Sequence, residues 1–119
     1  MITEYYVSYE IAKMLKEKGF NERSIASYDS KGQLQEGYGY WNKTPIWCAA
    51  PTHQMAMAWL REYKIYIMID RSWSMKDSWQ YCICVNNDFD HLIQQDSIPN
   101  RTYEEAVEAA LKYTLENLI

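Results

Sequence analysis

The sequence predicts an α+β domain: a mostly antiparallel sheet of four to five strands with three helices, in the order α-β-β-α-β-β-(β)-α. Three observations carry this. Three stretches place apolar residues at spacings of three and four, each behind a Ser or Thr that can cap a helix. Two stretches, residues 24–41 and 65–85, show the shorter period of strands. Turn residues separate the strands in pairs, so hairpins rather than crossovers join them, and the helices fall on one side of an antiparallel sheet.

The first helix is expected to start after Ser8, whose hydroxyl can accept from an unpaired N–H of the first turn. Ile11, Met14 and Leu15 form its stripe, and Gly19 stops it because it enters positive φ without a Cβ clash. Phe20 stands where an apolar residue folds back on the last turn. Ile25 and Ser27 begin a hairpin with its turn at Lys31-Gly32, and Leu34 to Trp41 form the return strand. Gly37 and Gly39 predict a bulge or a close backbone approach in that strand, and Pro45 ends it.

Thr52, behind Pro51, is the expected cap of a second helix whose buried face carries Met55, Ala56, Trp59, Leu60 and Tyr63. The chain then alternates through Ile65, Ile67 and Ile69, a strand with both faces at least partly covered. Residues 71–78 are read as a loop, and Trp79, Tyr81, Ile83 and Val85 as the antiparallel partner. Residues 86–90 are expected to turn, with a short edge strand over 91–95. Thr102 and Glu105 form a T-x-x-E box before the third helix, with Glu104 at the positive end of its dipole. Its buried face holds Ala106, Val107, Ala110, Leu111, Thr114, Leu115 and Leu118, while Glu108 and Lys112 are expected to pair along the exposed side.

A chain of 119 residues matches the commonest size of one domain, so residues 1–119 are expected to share one core. The net charge of −4 argues against a general nucleic-acid binder, which needs a basic stripe to displace counterions. No apolar run approaches the ~18 residues of a membrane span, and residues 1–8 carry Glu4 and lack a signal-peptide pattern. A soluble cytoplasmic protein is expected, with no membrane contact and no bound cofactor. Cys48, Cys82 and Cys84 are an odd number without an export signal, which points to reduced thiols.

Chemistry has two candidate settings. Cys48-x4-His53 and Cys82-x-Cys84-x6-His91 offer soft ligands for zinc, although neither spacing is the C-x2-C knuckle of a structural site; the competing reading packs the cysteines as small hydrophobes. Cys48 with His53 near a helix start could also be a thiol nucleophile, against a plain reading of a solvent histidine and a buried cysteine. The segment N-N-D-F-D-H lacks the glycine and final glutamate of a calcium loop, and Gly37-Tyr38-Gly39 lacks the following helix of a dinucleotide site.

Aromatics make up 15% of the chain, and their placement divides them. Trp59, Tyr63, Trp79 and Tyr81 lie on periodic faces, whereas Tyr38, Tyr40, Trp41 and Trp73 fall at glycine-rich ends or in a polar loop. With Arg71 beside it, that second group has the composition of a protein-binding surface, equally a set of rings folded back over the sheet. The expected function is therefore non-enzymatic binding of a protein partner, a second copy of the chain included. Single-stranded nucleic acid stacking on these rings beside Arg61, Lys64, Arg71 and Lys76 is the weaker alternative, because Glu62, Asp70 and Asp77 nearly cancel the charge.

The segments SYEIAKMLKEKGF from Ser8, PTHQMAMAWLRE from Pro51 and TYEEAVEAALKY from Thr102 resemble a family of small uncharacterised proteins of gut anaerobic bacteria, their prophages and other mobile elements. The matching pieces are the three helices, less than half of the chain. The resemblance implies a phage or mobile-element setting and an accessory role, with no activity, cofactor or catalytic residue attached.

Overall fold

The computed structural model describes residues 4–72, 76–94 and 100–119. Helices α1 (Tyr9–Glu17), α2 (His53–Glu62) and α3 (Tyr103–Asn117) accompany strands β1 (Ser24–Tyr28), β2 (Leu34–Gly39), β3 (Cys48–Ala49), β4 (Ile65–Arg71), β5 (Trp79–Val85) and β6 (Asp88–Gln94). The α+β class and the antiparallel pairing are as expected, but the strands divide into two sheets, β2-β1-β3 and β4-β5-β6. Single-sequence periodicity shows which side of a strand faces inward, not which strand is its neighbour. The two-residue β3, which has no periodicity to read, occupies the edge of β1 that β2 leaves free.

The caps are where sequence placed them. Ser8 Oγ accepts from Ile11 N–H, Thr52 Oγ1 from Met55 N–H and Thr102 Oγ1 from Glu105 N–H. Glu105 returns its carboxylate to the N–H of Arg101, one residue before the cap, rather than to the cap itself. At the end of α1, Gly19 N–H donates to Lys16 O and Phe20 N–H to Leu15 O, a Schellman closure with Gly19 at φ +94°. Leu15 and Phe20 are both fully buried as a result.

The first hairpin carries the expected bulge: Ser24 pairs with Gly39 and Ala26 with Glu36, so β2 holds one residue more than β1 across that step. The second sheet turns more sharply than expected. Asn86 and Asn87, at φ 56° and 59°, make a two-residue turn matched to the strand twist, and β6 begins at once at Asp88. Residues 88–90 are thus strand, not turn. Asn86 N–H also donates to Lys64 O, tying this turn to the joint where α2 passes into β4.

The core lies between α3 and the inner face of the second sheet, with α1 and α2 closing it. Helix α2 is rotated from the expected stripe: His53 and Met57 are buried beside Ala56, Trp59 and Leu60, whereas Met55 and Tyr63 are about half exposed. Tyr63 remains edge-on to Trp59. Among the described residues, no helix is long and apolar enough to cross a membrane.

Two glycines at positive φ differ in what surrounds them. A Cβ on Gly19 would meet nothing within 4 Å, but one on Gly32, at φ +78°, would stand 2.8 Å from the Tyr9 ring, which starts α1 and leans on Tyr28. Gly19→Ala is expected to cost about 1 kcal/mol, the backbone term alone, and Gly32→Ala about 3 kcal/mol, because the ring must also move. Urea denaturation of both variants measures this. Equal losses would show that the Tyr9 contact does not constrain the turn.

Candidate functional site

The N-terminal segment builds the most organised polar site. Val7 N–H donates to Pro51 O and His53 N–H to Tyr5 O, so residues 5–7 run antiparallel to residues 51–53. This lays the Tyr5 ring nearly parallel to the His53 imidazole, with centroids 6.3 Å apart, and brings Ser8 to α3. There Glu108 Oε2 accepts from the Ser8 N–H at 3.2 Å and faces His53 Nε2 at 2.8 Å. Burial alone would raise the Glu108 pKa, but the hydrogen bonds from His53 and Ser8 outweigh it and hold the carboxyl below its ordinary value. The ionised carboxylate can only accept, so His53 Nε2–H is the donor in this contact. Nearby, Tyr28 Oη donates to Val7 O at 2.6 Å, and burial followed by the Glu108 charge keeps this phenol protonated.

Cavities flank the pair. One of about 170 Å³ is lined by Glu4, Tyr5, Thr52, His53, Gln54, Tyr103 and Glu104. Another, of about 360 Å³, shares Tyr5, His53 and Glu104 with it and reaches Tyr6, Ser8, Glu105 and Glu108. Among the described residues, no lysine or arginine lines either one. A third, of about 190 Å³, lies beside Arg23, Ile25, Tyr38, Pro51 and Met55, and shares Glu4 and Thr52 with the first. These two cavities therefore adjoin at Glu4 and Thr52, between the first hairpin and His53.

The residues proposed from sequence fall in different places. Tyr38 and Tyr40 stand out on the first hairpin, 65% and 48% exposed, each beneath a cation: Arg23 lies 4.4 Å from the Tyr38 centroid and Lys43 lies 4.5 Å from that of Tyr40. Trp41 is turned inward, its Nε1 donating to Gly37 O and its ring stacked on Trp47 at 5.5 Å. Arg71 is the last residue of β4, on the other sheet, where it covers Trp79 and lies 3.9 Å from Asp77. Trp73 lies outside the described residues, as does the side chain of His91.

The thiols are separated as well. Cys48 is buried on β3, with its pKa raised by that burial in spite of Lys16 and Lys13. Its surroundings therefore do not activate it as a nucleophile. His53, expected in solvent, is buried and committed to Glu108. Cys82 and Cys84 lie on β5, and the pKa of Cys82 is raised by burial, by Cys84 and by Asp70. All three cysteines are free. Among the described residues, no three His, Cys, Asp or Glu side chains converge on one point, so the four-ligand zinc arrangement is not assembled there.

Sequence reasoning missed the His53–Glu108 contact by giving Glu108 to Lys112. Lys112 instead meets Glu10 of α1 at 3.1 Å. The available signal was a histidine at the first position of a capped, largely apolar helix, a site where a buried imidazole needs a partner. Comparison with protein-family models, curated proteins and solved structures finds no match for the chain.

Truncating Glu108 to Ala leaves the Ser8 N–H and the His53 ring without their acceptor and is expected to cost about 2 kcal/mol at neutral pH. Because the folded pKa is depressed, this contribution is complete above the ordinary value of 4.5 and is lost as pH falls through the lower folded value. Denaturant titrations at pH 7 and pH 3 should show the gap between wild type and Glu108→Ala closing in acid. A gap that stays constant would remove the charge from the explanation.

Proposed function

We propose that this is a cytoplasmic, non-enzymatic accessory protein that acts by binding another protein along the groove between Tyr38 and His53. One observation carries the reading. Ile25, Tyr38 and Met55 are each more than 40% exposed, and all three line the same cavity. Single exposed apolar residues are ordinary, but several around one concavity form the kind of patch that interfaces use. The Tyr38 ring is held in place by Arg23, so little of its freedom is left to lose on binding. Further along, Tyr5 and the carboxylates of Glu4 and Glu104 give the groove an acidic aromatic end that suits a basic side chain on the partner. An accessory role in a mobile-element setting, implied by the resemblance of the three helices, belongs to the same proposal.

A photo-crosslinking residue in place of Tyr38, expressed in the native host, is expected to trap a partner that the same residue at exposed Glu22 does not. Adduct mass separates a second copy of the chain from a different protein. Tyr38→Ala should weaken that complex about tenfold or more while changing stability by less than about 0.5 kcal/mol. Identical adducts from positions 38 and 22, or none from either, would sink the groove as the binding surface.

A further inference from the structure

The second sheet has an inner and an outer face, and the alternation along its strands sorts them. Ile65, Ile67 and Ile69 of β4, Tyr81, Ile83 and Val85 of β5, and Ile93 of β6 all join the core under α3. Tyr66, Met68, Cys82 and Cys84 alternate with them and lie outside that contact cluster, Cys84 being buried nonetheless. The pairing register places Met68 directly opposite Cys82, and Tyr66 opposite Cys84. Two thiols and a thioether therefore share one patch of the outer face. Same-face neighbours on a strand have Cα atoms about 6.5 to 7 Å apart, and directly paired residues have Cβ atoms about 4.5 to 5.5 Å apart. Cys84 is almost fully buried, whereas Cys82 is half-buried and Met68 is 38% exposed, so the patch is reached from the Cys82–Met68 side.

We propose that Cys82, Cys84 and Met68 form a binding site for a soft monovalent d¹⁰ cation, copper(I) or its surrogate silver(I). The ligand chemistry selects this class. Thiolate and thioether sulfur are soft donors that hold copper(I) with two or three ligands, whereas zinc requires four. Among the described residues, no third His, Cys, Asp or Glu joins the two thiols. A monovalent ion on two thiolates leaves one net negative charge, which reaches water on the side of half-buried Cys82 and exposed Met68. Binding displaces the two thiol protons and changes no oxidation state: one cation enters, two protons leave, and Met68 adds a neutral sulfur. The ladder supplies the rigidity, since β4 and β5 pair without interruption from Ile65 to Arg71. This site is independent of the proposed protein-binding groove, which lies on the first sheet and the start of α2.

The test is an anaerobic titration of the reduced protein with silver(I), followed by copper(I) in competition with a colorimetric copper(I) chelator. One equivalent should bind tightly, release about two protons, and protect Cys82 but not Cys48 from alkylation, as read by mass spectrometry. Cys82→Ser should lower the affinity at least ~100-fold and Met68→Leu about tenfold, whereas Cys48→Ser should leave it unchanged. Cys82 is only half-buried and the serine is nearly isosteric, so circular dichroism should show that variant folded. Wild-type affinity in folded Cys82→Ser, equal protection of Cys48, or the chelator stripping the ion completely from wild type would each overturn the proposal. Should Cys82→Ser fail to fold, the alkylation pattern of wild type decides alone.

Discussion

The fold is joined at one partly buried carboxylate. Glu108 of α3 accepts from the backbone of Ser8 and from the ring of His53, so a single oxygen holds the segment before α1, the first residue of α2 and the middle of α3. Taking a carboxylate out of water costs several kcal/mol unless donors replace the solvent. Here the donors belong to two different segments, so the site is satisfied only when both are in place. Once Ser8 is fixed, α1 starts in the correct position, and its glycine closure delivers Phe20 onto Trp59 of α2 at 5.4 Å. The same region carries the first sheet. Asn42 bridges Phe20 O and the Ala49 N–H, and Lys16 donates to the carbonyls of Thr44 and Trp47, so the connection to β3 is tied to α1.

What could be read from sequence was local. A cap needs one side chain and a backbone a few residues away, and Ser8, Thr52 and Thr102 all perform as caps. A bulge between glycines and an alternating strand are likewise written within a few residues, and the bulge and the β4–β5 pair follow. What could not be read depends on distant surfaces. The helical period of α2 permits a stripe through Met55 and Tyr63 or one through His53 and Met57; the stripe found goes with residues 5–7 lying across its start, a segment far earlier in the chain. Glu108 is the same case. At i and i+4, Glu108 and Lys112 satisfy every local rule for a surface pair, yet a buried histidine and a free backbone N–H from outside α3 claim the carboxylate, and Lys112 turns to Glu10.

The division into two sheets has a related origin. Each hairpin forms from neighbouring strands and was visible as such. Whether two hairpins merge is decided at their edges, where backbone groups rather than side chains make the contact. Cys48 and Ala49 offer no pattern, but their backbone pairs with Tyr28 and Ser27, closing that side of β1. The expected interface residues were separated in consequence: Tyr38 and Tyr40 went with the first sheet and Arg71 with the second.

Two sheets also give the molecule two unlike surfaces whose stabilities rest on different interactions. The groove is assembled from the N-terminal segment, the start of α2 and the first hairpin, pieces that share part of the core through Val7 and Ala56 and are aligned by hydrogen bonds and the Glu108 charge. The sulfur-bearing face is different, because Met68 and Cys82 sit on paired strands whose inner side chains form the core with α3. It persists for as long as that core does. A condition that weakens the carboxylate junction, acid in particular, therefore acts first on the groove, and the second sheet keeps its geometry until global unfolding.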